Sequence, residues 1–135
     1  MAVILFADDD PILREIVADM LRSTEHAAIM AEDGQEVLRL LDTIAIDLLV
    51  TDMLMPNVDG VEVIMAVREK HPSVKVLAIS SGGSVGASYM LHVAKVLGAN
   101  ATMQKPLELA SFLSVVEDLL HDPASEAKPM RAAGR

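Results

Sequence analysis

Acidic residues follow two short apolar segments of this chain. Val3 to Ala7 leads into three consecutive aspartates, Asp8 to Asp10, and Ile46 to Val50 leads into Thr51 and Asp52. Short segments rich in branched apolar residues are typical of strands that are covered on both faces. The end of such a strand is where open parallel sheets bind ligands, so these aspartates are candidates for metal binding or nucleophilic chemistry. A purely structural role for Asp52, as the cap of the following turn, fits this segment equally well.

Two further segments end on polar residues of other kinds. Val74 to Ile79 has the composition of a buried strand and is followed by Ser80. Ala101 to Gln104 is a weaker strand candidate and is followed by Lys105. If the ends of these strands meet those of the first two, a hydroxyl group and an ammonium group join the acids.

Segments with helical periodicity separate the strand candidates. The first begins at Pro11, with Asp10 as its N-cap, and its apolar spacing of three and four predicts one buried face. The apolar residues of that face are Leu13, Ile16, Val17, Met20 and Leu21. Five strand-then-helix units predict an α/β fold with a doubly wound parallel sheet of strand order 2-1-3-4-5. The carboxyl ends of strands one, three, four and five then share one edge.

This arrangement places Asp8, Asp9 and Asp52 together with Ser80 and Lys105. Carboxylates about 4 Å apart repel by roughly 1 kcal/mol per pair in water and by about 4 kcal/mol at an intermediate dielectric constant. Lys105 offsets part of that repulsion, and a hard divalent cation with oxygen ligands offsets it better. We therefore expect Mg²⁺ here, with Asp9 and Asp52 as direct ligands and Asp8 acting through water.

The same residues could carry out phosphoryl transfer. Attack by the Asp52 carboxylate on a phosphoryl group would give an acyl phosphate. Negative charge in the transition state spreads over the equatorial oxygens, so catalysis depends on positioning and charge stabilisation. Lys105 would bind these oxygens together with the metal, and Ser80 would donate a hydrogen bond.

Composition limits the alternatives. The chain has 135 residues, is 52% hydrophobic and carries a net charge of -9, so we expect one globular domain that does not bind nucleic acid directly. The absence of cysteine excludes a disulfide scaffold and thiolate metal sites. No segment is apolar for long enough to insert in a membrane and no basic leader precedes the first strand, so we expect a cytoplasmic protein. The domain should cover residues 1–121, and residues 122–135 should form a disordered tail.

Four stretches, in this order, resemble the receiver domain of two-component response regulators. They are Ile4 to Pro11, Asp47 to Gly60, Leu77 to Ser80, and Lys105-Pro106. The resemblance implies a flavodoxin-like (βα)5 fold and a stand-alone receiver that accepts a phosphoryl group from a sensor histidine kinase or a histidine phosphotransfer protein, with Mg²⁺ as cofactor. It implies a switch rather than an enzyme, one that catalyses only its own phosphorylation and dephosphorylation and signals to a downstream protein target by conformational change. Whether the chain forms a homodimer stays open.

The resemblance also assigns roles by matching positions. Asp52 is the phosphoacceptor, Asp8 and Asp9 form the acidic pair, Leu54 is a metal ligand through its backbone carbonyl, Ser80 is the switch hydroxyl and Lys105 is the phosphoryl-binding lysine. All of these roles are expectations drawn from the family pattern.

Strand five departs from that pattern. The family has an aromatic residue two or three positions before the lysine, and this chain has Thr102 and Met103 there. The loop of residues 81–84, followed by Gly86, is rich in glycine and permissive in backbone conformation. These features favour the hypothesis that this loop and the fourth helix rearrange on phosphorylation.

Two other classes of function remain to be weighed. A flavodoxin-like module that binds a nucleotide or flavin would need a Gly/Ser/Thr-rich phosphate loop after the first strand, where this chain has three aspartates. A hydrolase with an aspartyl intermediate would need a second acid placed as general acid near the nucleophile, and Met53 and Leu54, which follow Asp52, do not supply it.

Overall fold

The computed structural model describes residues 1–81 and 85–122 of the chain. The strands are β1 (Val3–Ala7), β2 (Ala27–Ala31), β3 (Leu48–Asp52), β4 (Lys75–Ser81) and β5 (Ala101–Lys105). The helices are α1 (Pro11–Arg22), α2 (Gly34–Thr43), α3 (Gly60–Lys70), α4 (Val85–Leu97) and α5 (Leu109–Leu120). The expected tail, apart from its first residue, and the glycine-rich loop after β4 lie outside the described residues.

All strand pairings are parallel, and the strand order is β2-β1-β3-β4-β5. This confirms the predicted flavodoxin-like, doubly wound (βα)5 fold. The parallel register brings the ends of β1, β3, β4 and β5 to one edge, because Ala7 pairs with Thr51 and Asp52 pairs with Ile79.

Strand β3 lies later in the chain than the apolar run alone predicted. The ladder to β4 starts at Leu48 and continues to Asp52, so Thr51 and Asp52 belong to the strand. Asp47, just before the strand, accepts a hydrogen bond from the Val3 backbone through Oδ2 over 2.8 Å. The nucleophile candidate is thus held by the sheet itself rather than by the following loop.

Aspartates are the N-cap residues of the first three helices. Asp10 Oδ1 accepts from the Ile12 backbone over 2.9 Å, with Pro11 in the first turn as predicted. Asp33 and Asp59 cap α2 and α3 in the same way, accepting from Glu36 and Glu62. These caps fix where each loop at the carboxyl edge enters its helix.

Two apolar clusters, one on each face of the sheet, form the core. The prediction of a continuous buried face on α1 was wrong at Ile16, which is 46% exposed. Val17 and Leu21 are buried, and Leu13 and Met20 pack partly buried against the same cluster, whereas Ile12 and Ile16 are exposed. Among the described residues, no helix has the length and apolar character needed to cross a membrane.

Candidate functional site

Three carboxylates meet at the carboxyl edge of the sheet. Each of Asp8, Asp9 and Asp52 offers an oxygen within 4.8 Å of the others. Asp8 and Asp52 are buried and Asp9 is exposed. The sequence predicted this meeting from topology alone, and the structure brings the three residues together as expected.

Local hydrogen bonds in the turn between β1 and α1 hold Asp8 in place. The Asp10 backbone N–H donates to Asp8 Oδ1 over 2.9 Å. Arg14 reaches back from α1 and donates through Nη1 to the Asp8 carbonyl oxygen over 2.7 Å. Asp8 is therefore fixed from both its backbone and its side chain, and Asp9 next to it faces solvent.

Lys105 supplies the positive charge. Its Nζ lies 2.8 Å from Asp8 Oδ2 and 3.6 Å from Asp52 Oδ1, and its side chain is 22% exposed. Asp8 Oδ2 is buried and, apart from this ion pair, has no hydrogen-bond partner among the described residues. One ammonium group thus serves two buried carboxylates, and an oxygen atom retains the capacity to bind a further donor or cation.

Crowding changes the proton affinity of these groups. Burial, followed by the nearby negative charge of Asp8, raises the pKa of Asp52 to about 6, although Lys105 and a backbone hydrogen bond from Met53 oppose the shift. Burial lowers the pKa of Lys105, but its hydrogen bond to Asp8 and the charges of both acids outweigh burial and raise it overall. Asp52 therefore ionises less readily than an exposed aspartate, even with Lys105 beside it.

The two remaining predicted residues lie on elements beside the cluster. Ser80 is buried and directly follows Ile79, the register partner of Asp52. Leu54 follows Asp52 by two positions in the β3–α3 loop, and its side chain is 63% exposed. Their proposed roles as switch hydroxyl and carbonyl ligand stay predictions.

The sequence did not predict two contacts that lie near the acids. Arg14 stands six residues after Asp8, a separation that one helical turn after the loop can bridge, so its proximity to the acids could have been anticipated. Asp33 and Asn57 contact each other across 24 positions in sequence. No local pattern predicts that contact, because it depends on how two loops meet.

Comparison with known proteins agrees with this geometry. A family model described as the response regulator receiver domain matches residues 4–117. Response regulator RR06 of Streptococcus pneumoniae is 40% identical over 117 residues, which are 87% of this chain and 52% of RR06. The chemotaxis protein CheY of Listeria monocytogenes is 28% identical over 118 residues, which are 87% of this chain and 97% of that protein.

Solved structures show the same likeness. The chemotaxis response regulator CheY4 of Vibrio cholerae superposes with a TM-score of 0.78 at 25% identity, covering 88% of this chain and 98% of that one. This chain spans only 27% to 52% of the length of several of its curated relatives, RR06 among them. The acids, Ser80 and Lys105 all lie within the segment that the family model matches.

Proposed function

This chain belongs to the response regulator receiver domain family of two-component signalling, and from that premise we propose that Asp52 accepts a phosphoryl group. The donor would be a sensor histidine kinase or a histidine phosphotransfer protein. The receiver domain would comprise residues 1–121. It would act as a switch that promotes only its own phosphorylation and dephosphorylation.

The donor set fits Mg²⁺. Asp9 and Asp52 would bind the ion directly, Leu54 through its carbonyl oxygen, and Asp8 through water. Among the described residues, the Lys105 ammonium pairs with both buried acids, and the pKa of Asp52 is still raised beside it, so the cluster favours a further cation. When bound, Mg²⁺ would supply positive charge that neutralises the carboxylates and the phosphoryl oxygens.

The protein's own residues would handle the transferred group. A carboxylate oxygen of Asp52 forms a bond to phosphorus while the bond from phosphorus to the donor's imidazole nitrogen breaks. The Lys105 ammonium, already placed between Asp8 and Asp52, binds a phosphoryl oxygen. The Ser80 hydroxyl donates a hydrogen bond to another phosphoryl oxygen, and the movement of Ser80 toward that oxygen would start the conformational change.

One observation carries the proposal: three carboxylates and one ammonium converge at the carboxyl edge of a parallel sheet, in the chain order of the family. A module for flavin or nucleotide binding is not favoured. The turn after β1 presents Asp8 and Asp9 to the site, in place of the Gly/Ser/Thr-rich phosphate loop that such a ligand would need.

Acetyl phosphate can replace the protein donor in a direct test. We expect the wild-type chain, incubated with acetyl phosphate and Mg²⁺, to gain the mass of one phosphoryl group, and Asp52→Asn to gain none. Asp47→Asn is the matched control. Asp47 directly precedes β3, at the opposite end of the strand from Asp52, so its substitution should leave uptake unchanged. Uptake by Asp52→Asn, or steady release of phosphate without an adduct, would refute the proposal.

The output would reach a downstream protein target through α4. Thr102 and Met103, half-buried in β5, replace the aromatic residue on which the family pattern relies. We expect a phosphoryl mimic to change amide hydrogen exchange in residues 81–97, while exchange in α2 stays constant. Identical exchange in residues 81–97 with and without the mimic would exclude this route.

A further inference from the structure

We propose that Asp33 and Asn57 form a latch that positions the loop carrying Leu54, and thereby the Mg²⁺ site of the proposed function, on which this inference rests. Asn57 Nδ2 donates to Asp33 Oδ2 over 2.9 Å. The bond joins the turn between β2 and α2 to the loop between β3 and α3. Both residues would be positioning residues, because neither belongs to the cluster of acids.

Asn57 adopts a backbone conformation that needs support. Its φ is +70°, and the Val58 N–H donates to the Pro56 carbonyl oxygen across it over 2.9 Å, which forms a γ-turn. Residues other than glycine rarely adopt this left-handed backbone region, and such a residue remains there only where its surroundings hold it. The hydrogen bond to Asp33 provides such a hold.

Asp33 is a firm anchor for that bond. Its other oxygen, Oδ1, accepts from the Glu36 backbone over 2.8 Å as the N-cap of α2. The next residue, Gly34, packs so closely on the loop that a Cβ atom there would lie 1.9 Å from the Val58 carbonyl oxygen. The start of α2 therefore contacts the backbone of the γ-turn directly.

The sheet fixes the other end of the loop. The Met53 N–H donates to the Ile79 carbonyl oxygen over 3.1 Å, and the Met53 carbonyl accepts from Gly60 over 3.1 Å. Only Leu54 and Met55 lie between this anchor and the γ-turn. The carbonyl oxygen proposed as a metal ligand thus belongs to a two-residue segment fixed at one end by the sheet and at the other by the latch.

The affinity for Mg²⁺, measured by isothermal titration calorimetry at one pH, tests the latch. Asn57→Asp sets two carboxylates against each other and should weaken Mg²⁺ binding by about tenfold, the lower end of the range for groups that orient metal ligands. The added negative charge alone would tighten binding. Gln35→Glu adds the same charge at an exposed position of α2 and is the matched control, for which we expect no weakening.

Exchanging the two side chains should restore the latch. In the double variant Asp33→Asn with Asn57→Asp, the new amide donates to the new carboxylate while its oxygen still caps α2, since Asn and Asp are equally good N-caps. Aspartate also tolerates the left-handed region. We expect the double variant to recover wild-type affinity, a rescue that general damage to the loop would not show.

Each outcome distinguishes the latch from the proposed function. Wild-type affinity in Asn57→Asp, or a double variant as weak as that single variant, would overturn the latch while phosphoryl uptake at Asp52 still stands. A wild-type chain that neither binds Mg²⁺ nor takes up phosphate would overturn both. Urea unfolding checks that the variants are folded. If Asn57→Asp is not folded, Asn57→Gly takes its place. Glycine keeps the backbone conformation but removes the side-chain amide, so this variant should also weaken Mg²⁺ binding.

Discussion

The two edges of the sheet both collect charged side chains, and they differ in how those side chains are paired. At the amino edge, Asp47 Oδ2 accepts from Val3 and Lys75 Nζ donates to the Leu119 carbonyl oxygen over 2.8 Å. His26, also at this edge, has partners on both ring nitrogens. At the carboxyl edge, Asp8 and Asp52 share the ammonium of Lys105, and Asp9 lies close to both acids.

Histidine at the amino edge illustrates the difference. His26 Nδ1 accepts from the Ala2 backbone over 3.0 Å, so Nε2 carries the hydrogen that it donates to Glu117 over 2.8 Å. A cavity of about 270 Å³ lies beside His26 and Lys75. A cavity and titratable residues are therefore present at this edge, and the side chains of His26, Asp47 and Lys75 have hydrogen-bond partners there. We infer that unmatched negative charge, rather than the presence of a cavity, distinguishes the carboxyl edge from the amino edge.

Removing one lysine from each edge should give the largest contrast. Lys105→Ala leaves two buried carboxylates without their cation and should slow phosphoryl uptake from acetyl phosphate by roughly 10²–10³-fold, as for the loss of one preorganised charge-stabilising group. Lys75→Met keeps the aliphatic volume but removes the donor to Leu119. It should lower the free energy of unfolding by about 1–3 kcal/mol and leave the uptake rate unchanged.

Uptake kinetics together with urea unfolding measure both effects. Equal loss of activity in the two variants would show that the edges are not functionally distinct.

Neutralising one aspartate at each edge gives a smaller contrast, in stability. The pKa of Asp52 in the folded protein is about 6, above its ordinary value of 3.8. Ionisation of Asp52 therefore destabilises the Mg²⁺-free protein increasingly as the pH rises from 3.8, and the effect is complete above pH 6. Asp52→Asn should therefore raise the free energy of unfolding at pH 7.5 by about 1–2 kcal/mol, with allowance for solvent screening. The gain should shrink as the pH falls through 6 towards 4, because the wild-type carboxyl then takes up its proton.

Asp47→Asn is the control for this measurement. Its side-chain oxygen can still accept from Val3, so we expect little change at any pH. Urea unfolding without Mg²⁺ between pH 4.5 and 7.5 provides the data. A destabilised Asp52→Asn protein at pH 7.5 would contradict the idea that charge is unmatched at the carboxyl edge.

Much of the fold and of the cluster could be predicted because the responsible patterns are local or topological. Asp10 and Pro11 mark the start of α1 by their own chemistry, and parallel topology alone brings Asp8 and Asp52 to one edge. The exposure of Ile16 was not predictable from spacing, because it depends on how far α1 overlaps the sheet.

Contacts between distant segments also could not be predicted from the sequence. His26 and Glu117 meet across 91 positions, and Asp33 and Asn57 meet across 24. Such pairs follow from the packing of loops and helix ends, for which a single sequence has no periodic signal. Of these two contacts, only Asp33–Asn57 joins loops at the carboxyl edge, whereas the acids themselves show where the site is.

The most direct test locates the phosphoryl group on the chain. After incubation with acetyl phosphate and Mg²⁺, borohydride reduces an aspartyl phosphate to homoserine, and peptide mass spectrometry identifies the position. We predict homoserine at position 52 alone, with none at position 47. Homoserine at another acid, or none in a chain that binds Mg²⁺, would contradict the assignment of Asp52 as the phosphoacceptor.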